Sequence, residues 1–136
     1  MQSFANSPSL IIRTKSVAHR LLLVGAKSWT IGRSKGNLIV LPDREVSRNH
    51  AELHCTHSGN CILVDLDSRN GSFVNGQRVL APIMLHNGDR LAFGKTKMEF
   101  YDSELPIELG AINLVDLAEL EVEEDLPTFG RTKYNF

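Results

Sequence analysis

At 136 residues the chain is long enough for one domain with a real core and a short appendage. Its 42% apolar and 23% charged residues are ordinary globular values, which excludes a wholly disordered chain, and no 18-residue apolar stretch exists to cross a membrane as a helix. The net charge of −1 conceals an asymmetry: residues 1–101 carry 13 Lys and Arg against 7 Asp and Glu, whereas residues 102–136 carry 2 against 9, giving +6 and −7. A basic body on an acidic extension points to an interaction.

Residues 1–9, rich in Ser and Asn, read as a frayed lead-in. Runs 10–13 and 20–24 are the first two expected strands; Gly25-Ala26-Lys27 turns the chain into a third at 28–31, whose Trp29 covers the core. A loop at 32–37 precedes a short buried strand at 38–40, and a second loop at 44–49 follows Leu41-Pro42-Asp43. From His50 the alternation is clean, with Ala51, Leu53 and Cys55 on one face and Glu52, His54 and Thr56 on the other. A turn at 57–60 returns the chain through 61–65 to a third polar loop at 67–71. Next, 72–74, Asn75-Gly76 and 77–79 predict a hairpin closed by a type I′ turn. Runs 82–85, 90–93 and 97–101 continue the rhythm. About ten to eleven short strands predict an all-β protein, an antiparallel β-sandwich over 10–101. Residues 102–136 are then an acidic C-terminal tail, in which 111–122 (AINLVDLAELEV) is the one stretch patterned for a short helix.

Three polar clusters interrupt the apolar runs: Gly32-Arg33, Ser47-Arg48-Asn49-His50 and Ser68-Arg69-Asn70-Gly71. Loops at one end of a β-structure can converge, and these would deliver guanidinium forks, a hydroxyl, an amide and backbone N–H groups. Such a donor set suits a small, multiply charged anion such as phosphate.

Taken together, GR, then SRNH, then SRNGSFVNG closely resembles the forkhead-associated (FHA) domain, in order and spacing, within residues 32–76. The resemblance spans roughly 9–101 and implies an FHA/SMAD-like β-sandwich that binds phosphothreonine in a partner protein and catalyses nothing. It implies that Arg33 grips phosphate oxygens, that Ser47 reaches the phosphate through its hydroxyl and loop amide, and that Asn70 pairs with the bound peptide's backbone. Arg48 would add positive charge, and Arg69 would reach the phosphate or acidic flanking residues. Support of the site falls to Gly32, which frees its loop to bend; to His50, which braces the Ser47 loop; and to Gly71, which supplies an unusual backbone conformation. Ser72 stands where the family more often has Thr, keeping the hydroxyl and losing a methyl. Asn75 and Gly76 are turn residues, although the family sometimes uses this Asn as a peptide contact.

Other chemistries are less well served. His54, Cys55, His57 and Cys61 are the right types for zinc, but His54 and Cys55 fall on opposite strand faces and no zinc-binding spacing occurs. Two Cys without a disulfide framework, and no basic-then-apolar leader, predict free thiols and a cytoplasmic location; only an oxidising setting would join Cys55 to Cys61 across their hairpin. No nucleophile elbow, Walker loop, H-E-x-x-H or paired carboxylates appear, so no enzyme and no cofactor is expected. The basic residues are scattered, which argues against nucleic acid.

The expected function is thus phosphothreonine-dependent protein–protein interaction in Ser/Thr-kinase signalling, with a threonine-phosphorylated protein as partner and the kinase involved indirectly. The alternative is a phosphate-independent scaffold docking through the sandwich face or the tail. The tail reads first as a solubilising extension, but Thr128 follows Glu123-Glu124-Asp125-Leu126-Pro127, a context suited to phosphorylation and so to self-interaction with the site.

Overall fold

The structure, a computed structural model, describes residues 7–13 and 18–102. Eleven strands run in chain order: β1 (Ser9–Arg13), β2 (Ala18–Leu22), β3 (Ser28–Gly32), β4 (Ile39–Val40), β5 (Ala51–Cys55), β6 (Cys61–Asp65), β7 (Ser72–Val74), β8 (Gln77–Arg78), β9 (Ile83–Met84), β10 (Arg90–Phe93) and β11 (Thr96–Tyr101). They form a six-stranded sheet ordered β2-β1-β11-β10-β7-β8 and a five-stranded sheet ordered β4-β3-β5-β6-β9. The fold is the expected all-β sandwich. One pairing departs from antiparallel order: β3 and β4 run parallel, with Ile31 opposite Ile39.

Alternation along each strand builds the core. Leu10, Ile12, Leu91, Phe93, Met98 and Phe100 from one sheet meet Trp29, Ile31, Ala51, Leu53 and Leu63 from the other, all buried. Each large side chain removed from water stabilises the fold by about 1.5–3 kcal/mol.

Several boundaries move. Ser7 and Ser9 are buried and the Leu23 amide donates to the Pro8 carbonyl at 2.8 Å, so ordered packing begins before residue 10. The expected strand at 38–40 starts at Ile39, and Leu38 is 56% exposed instead of buried; its amide is held by the Thr30 hydroxyl at 2.9 Å. The expected free thiols are joined: Cys55 and Cys61 lie opposite each other in the β5–β6 register, Cα atoms 4.1 Å apart, and form a disulfide. Both cysteines are spent on each other, so neither is available to zinc. The expected helix at 111–122 and Thr128 lie outside the described residues.

Candidate functional site

The loops after β3, β4 and β6 meet at one end of the sandwich because backbone hydrogen bonds bind them before any side chain does. The Arg33 amide donates to the Ser47 carbonyl at 3.0 Å and the Ser34 amide to the Arg48 carbonyl at 3.2 Å. The His50 amide donates to Ile31 O and the Leu66 amide to His50 O, both at 2.9 Å. Arg33, Ser47 and the 66–71 loop are therefore neighbours by construction.

Side chains tighten the arrangement. Arg33 Nε donates to the Val46 carbonyl at 3.1 Å, which anchors the guanidinium at its base. The Ser47 Oγ accepts the Arg69 amide at 3.0 Å, joining the second loop to the third. Asn70 Nδ2 donates to the Glu45 carbonyl at 2.9 Å, so a second bond ties the same two loops. These bonds leave the terminal nitrogens of Arg33, the Ser47 hydroxyl hydrogen and the Asn70 carbonyl oxygen for a ligand. Arg33, Arg48, Arg69 and Asn70 are exposed and Ser47 half-buried, and all five lie on these joined loops.

His50 is fully buried and spans two loops. Its Nδ1 faces the Ser47 amide at 3.0 Å and its Nε2 faces the Gly71 carbonyl at 3.0 Å. An amide can only donate and a carbonyl can only accept, so the ring is neutral with its proton on Nε2. Burial, outweighing the Gly71 carbonyl and the charges of Asp65 and Asp43, pushes its pKa below the ordinary value. Phe93 meets the ring edge-on, with centroids 5.5 Å apart.

The third loop folds over Asp65. Its carboxylate accepts from the Ser68 amide at 2.9 Å, the Ser68 hydroxyl at 2.6 Å and the Ser72 hydroxyl at 2.6 Å. Burial pushes this carboxyl up, but the Ser68 and Ser72 donors, with His50 nearby, hold it below the usual carboxylate range. Ser68 Oγ then accepts the Gly71 amide at 3.0 Å. Gly71 has φ +91°, as the sequence expectation required, and a Cβ there would also press on the Arg78 guanidinium.

Gly32 acts differently from expectation. Its φ is not in the left-handed region; a side chain there would instead overlap the Arg48 carbonyl and crowd Asn37 Nδ2. The glycine permits two loops to touch; it does not loosen one of them. Asn75 and Gly76 form the turn that the sequence predicts. They close the β7–β8 hairpin at the end away from Ser72, about 10 Å along the strand. There Asn75 Nδ2 donates to Asp89 Oδ1 and Asn75 Oδ1 accepts the Arg90 amide, both at 2.9 Å.

Sequence reasoning gave no role in the site to Asp43, Asn37, Asp65 or Ser68, although Ser68 opens the third polar cluster. Buried Asp43 accepts the Lys95 amide at 2.8 Å, the Thr96 hydroxyl at 3.0 Å and the Glu45 amide at 2.9 Å, pinning the second loop to the β10–β11 turn. Asn37 Nδ2 bridges the Ser34 and Arg48 carbonyls. The Asp65-x-x-Ser68 spacing, suited to a side chain capping the amide three residues on, was the one local clue.

The geometry has counterparts. The FHA domain model matches residues 29–94. The DNA damage response protein kinase DUN1 of Saccharomyces cerevisiae is 40% identical over 74 residues, 49% of this chain and 14% of the kinase. A structure from work on phosphothreonine-dependent FHA domain interactions superposes with TM-score 0.62 at 30% identity, covering 73% of this chain and 99% of that one. Mycobacterium tuberculosis EmbR in complex with a low affinity phosphopeptide superposes with TM-score 0.64 at 29% identity, covering 74% and 25%. The chain spans 8% to 17% of the length of the curated relatives it matches. On motif, fold and sequence together, the chain belongs to the FHA domain family.

Proposed function

We propose that this domain binds threonine-phosphorylated segments of partner proteins and links its chain to Ser/Thr-kinase signalling without catalysis. The observation that carries the reading is the pair of ties from Ser47 to Arg69 and from Asn70 to Glu45. They tie the loops of Ser47 and Asn70 together beside the Val46 carbonyl that holds Arg33 Nε, which supports reading the three side chains as one binding set with hydrogen-bonding capacity to spare. A phosphothreonine brings about −1.5 to −2 charges and three acceptor oxygens, matching a planar fork beside a hydroxyl. Because the donors are fixed before the ligand arrives, little ordering cost opposes binding.

Arg33→Ala tests the assignment. Hydrogen bonds to a charged group contribute about 1.5–3 kcal/mol, so affinity for a phosphothreonine peptide falls by roughly tenfold or more while the melting temperature stays within a few degrees. Partner capture from lysate that survives phosphatase treatment would favour a phosphate-independent scaffold instead.

A further inference from the structure

Arg78 is an arginine against the backbone of the third site loop that the binding motif does not include. It sits on β8, opposite Phe73 in the β7–β8 register, and its strand returns from the Asn75-Gly76 turn toward the site end. A Cβ built on Gly71 would lie 2.8 Å from Arg78 Nε, 3.1 Å from its Cζ and 3.2 Å from a Phe73 ring carbon. The guanidinium therefore lies over the backbone of the residue that follows Asn70. That backbone is itself fixed, with its amide on Ser68 and its carbonyl on His50. Arg78 is exposed, and its guanidinium has no hydrogen bond or ion pair among the described residues.

The surrounding charge is unbalanced in the same sense. Arg33, Arg44, Arg48, Arg69 and Arg78 are all exposed at this end. The carboxylates of Asp43 and Asp65 are consumed by internal donors, and Glu45 lies 3.8 Å from Lys95 Nζ. Only Asp67 remains exposed and uncommitted on the 66–71 loop. A single phosphate held between Arg33 and Ser47 neutralises part of this field and leaves Arg78 unsatisfied.

Resting on the phosphothreonine reading, we propose that Arg78 is a specificity-determining residue that recognises a second negative group on the bound segment. The ligand class is a phosphothreonine peptide with a carboxylate or a second phosphate two or three residues from the first. The reach follows from the chain. Ser47 Oγ is 3.0 Å from the Arg69 amide, and Gly71 lies two residues beyond Arg69, at most about 7 Å. An extended peptide advances about 3.3 Å per residue, so a side chain two or three positions away passes over Gly71 and meets the guanidinium. Gly71 is required for its backbone angle, and it also leaves the guanidinium room to lie against the loop.

The test compares equal-length phosphothreonine peptides with Ala, Asp or a second phosphothreonine two or three residues to either side, titrated into wild-type protein, Arg78→Gln and Arg78→Lys. Wild type gains roughly two- to fivefold from the added charge at low salt, the scale of an exposed ion pair, and the gain shrinks in 0.5 M salt. Arg78→Gln loses the gain while holding the Ala-flanked peptide within about twofold of wild type, and Arg78→Lys keeps a good part of it. A gain with Asp identifies a carboxylate as sufficient; a gain with the second phosphate alone identifies a doubly phosphorylated segment. A gain that survives Arg78→Gln, or a wild type that binds every phosphothreonine peptide equally, overturns the proposal and leaves the phosphothreonine reading standing. Failure of wild type to bind any peptide in the panel overturns both.

Discussion

The Ser47 hydroxyl oxygen accepts the Arg69 amide hydrogen at 3.0 Å, across 22 residues of sequence. One atom therefore does two jobs: its lone pair fixes the third loop against the second, and its hydrogen is left for the ligand. Ser47→Ala removes both. Loss of the tie lowers stability by about 1 kcal/mol, while phosphothreonine-peptide affinity falls more than tenfold. Thermal melts and calorimetry on the same sample separate the two, and an affinity loss no larger than the stability loss would reduce Ser47 to a loop fastener.

Gly32→Ala strikes the same site from beneath. The new methyl meets the Arg48 carbonyl, which is backbone and cannot swing aside, so the first and second loops must part. Overpacking of this kind costs typically about 1–3 kcal/mol, and here the displacement falls directly on Arg33 and Ser47. Both melting temperature and binding drop. Gly36→Ala, where only the Ser34 hydroxyl lies within 4 Å, serves as the tolerant control.

His50 gives the fold a pH dependence with a defined sign. Its pKa is lowered by burial in the folded state, so below about pH 6.5 the unfolded chain binds the proton more readily. Its contribution is complete above that pH and is lost as pH falls toward the folded-state value. Asp65, also lowered, loses its contribution only at more acid pH, below the ordinary carboxylate value. Melting temperature should fall between pH 7 and pH 5.5, and the slope should flatten in His50→Gln. The readout is stability, because the phosphate itself titrates near pH 6 and would confuse a binding profile.

Asn75→Ala separates fold from site. The substitution removes the side-chain bonds to Asp89 and the Arg90 amide at a position with φ +52°, so it costs about 1–2 kcal/mol. Phosphopeptide affinity stays within about twofold, since the turn lies at the other end of β7. A tenfold loss of affinity with an unchanged melt would make Asn75 a ligand contact after all.

The sequence carried the sandwich because alternation and turn chemistry are local properties. Ala51-Glu52-Leu53-His54-Cys55 and Asn75-Gly76 each declare their conformation within a few residues. The site loops were legible through their residue types, and Gly71 through its place after Asn70. What the sequence hid is contact between distant segments. Nothing near Gly32 announces the Arg48 carbonyl, and nothing near Asp43 announces Lys95 and Thr96, 52 and 53 residues on. Leu38 misled because it opens the apolar run 38–41 yet itself faces out. The cysteines misled because hairpin register, not the number of thiols, placed them opposite one another.

The most direct test titrates one peptide, with and without phosphate on its threonine, into the wild-type protein and Arg33→Ala. The account predicts heat only for the phosphorylated peptide with wild type, and a loss of roughly tenfold or more for Arg33→Ala at an unchanged melting temperature. Equal binding of the unphosphorylated peptide, or full affinity in Arg33→Ala, would contradict it.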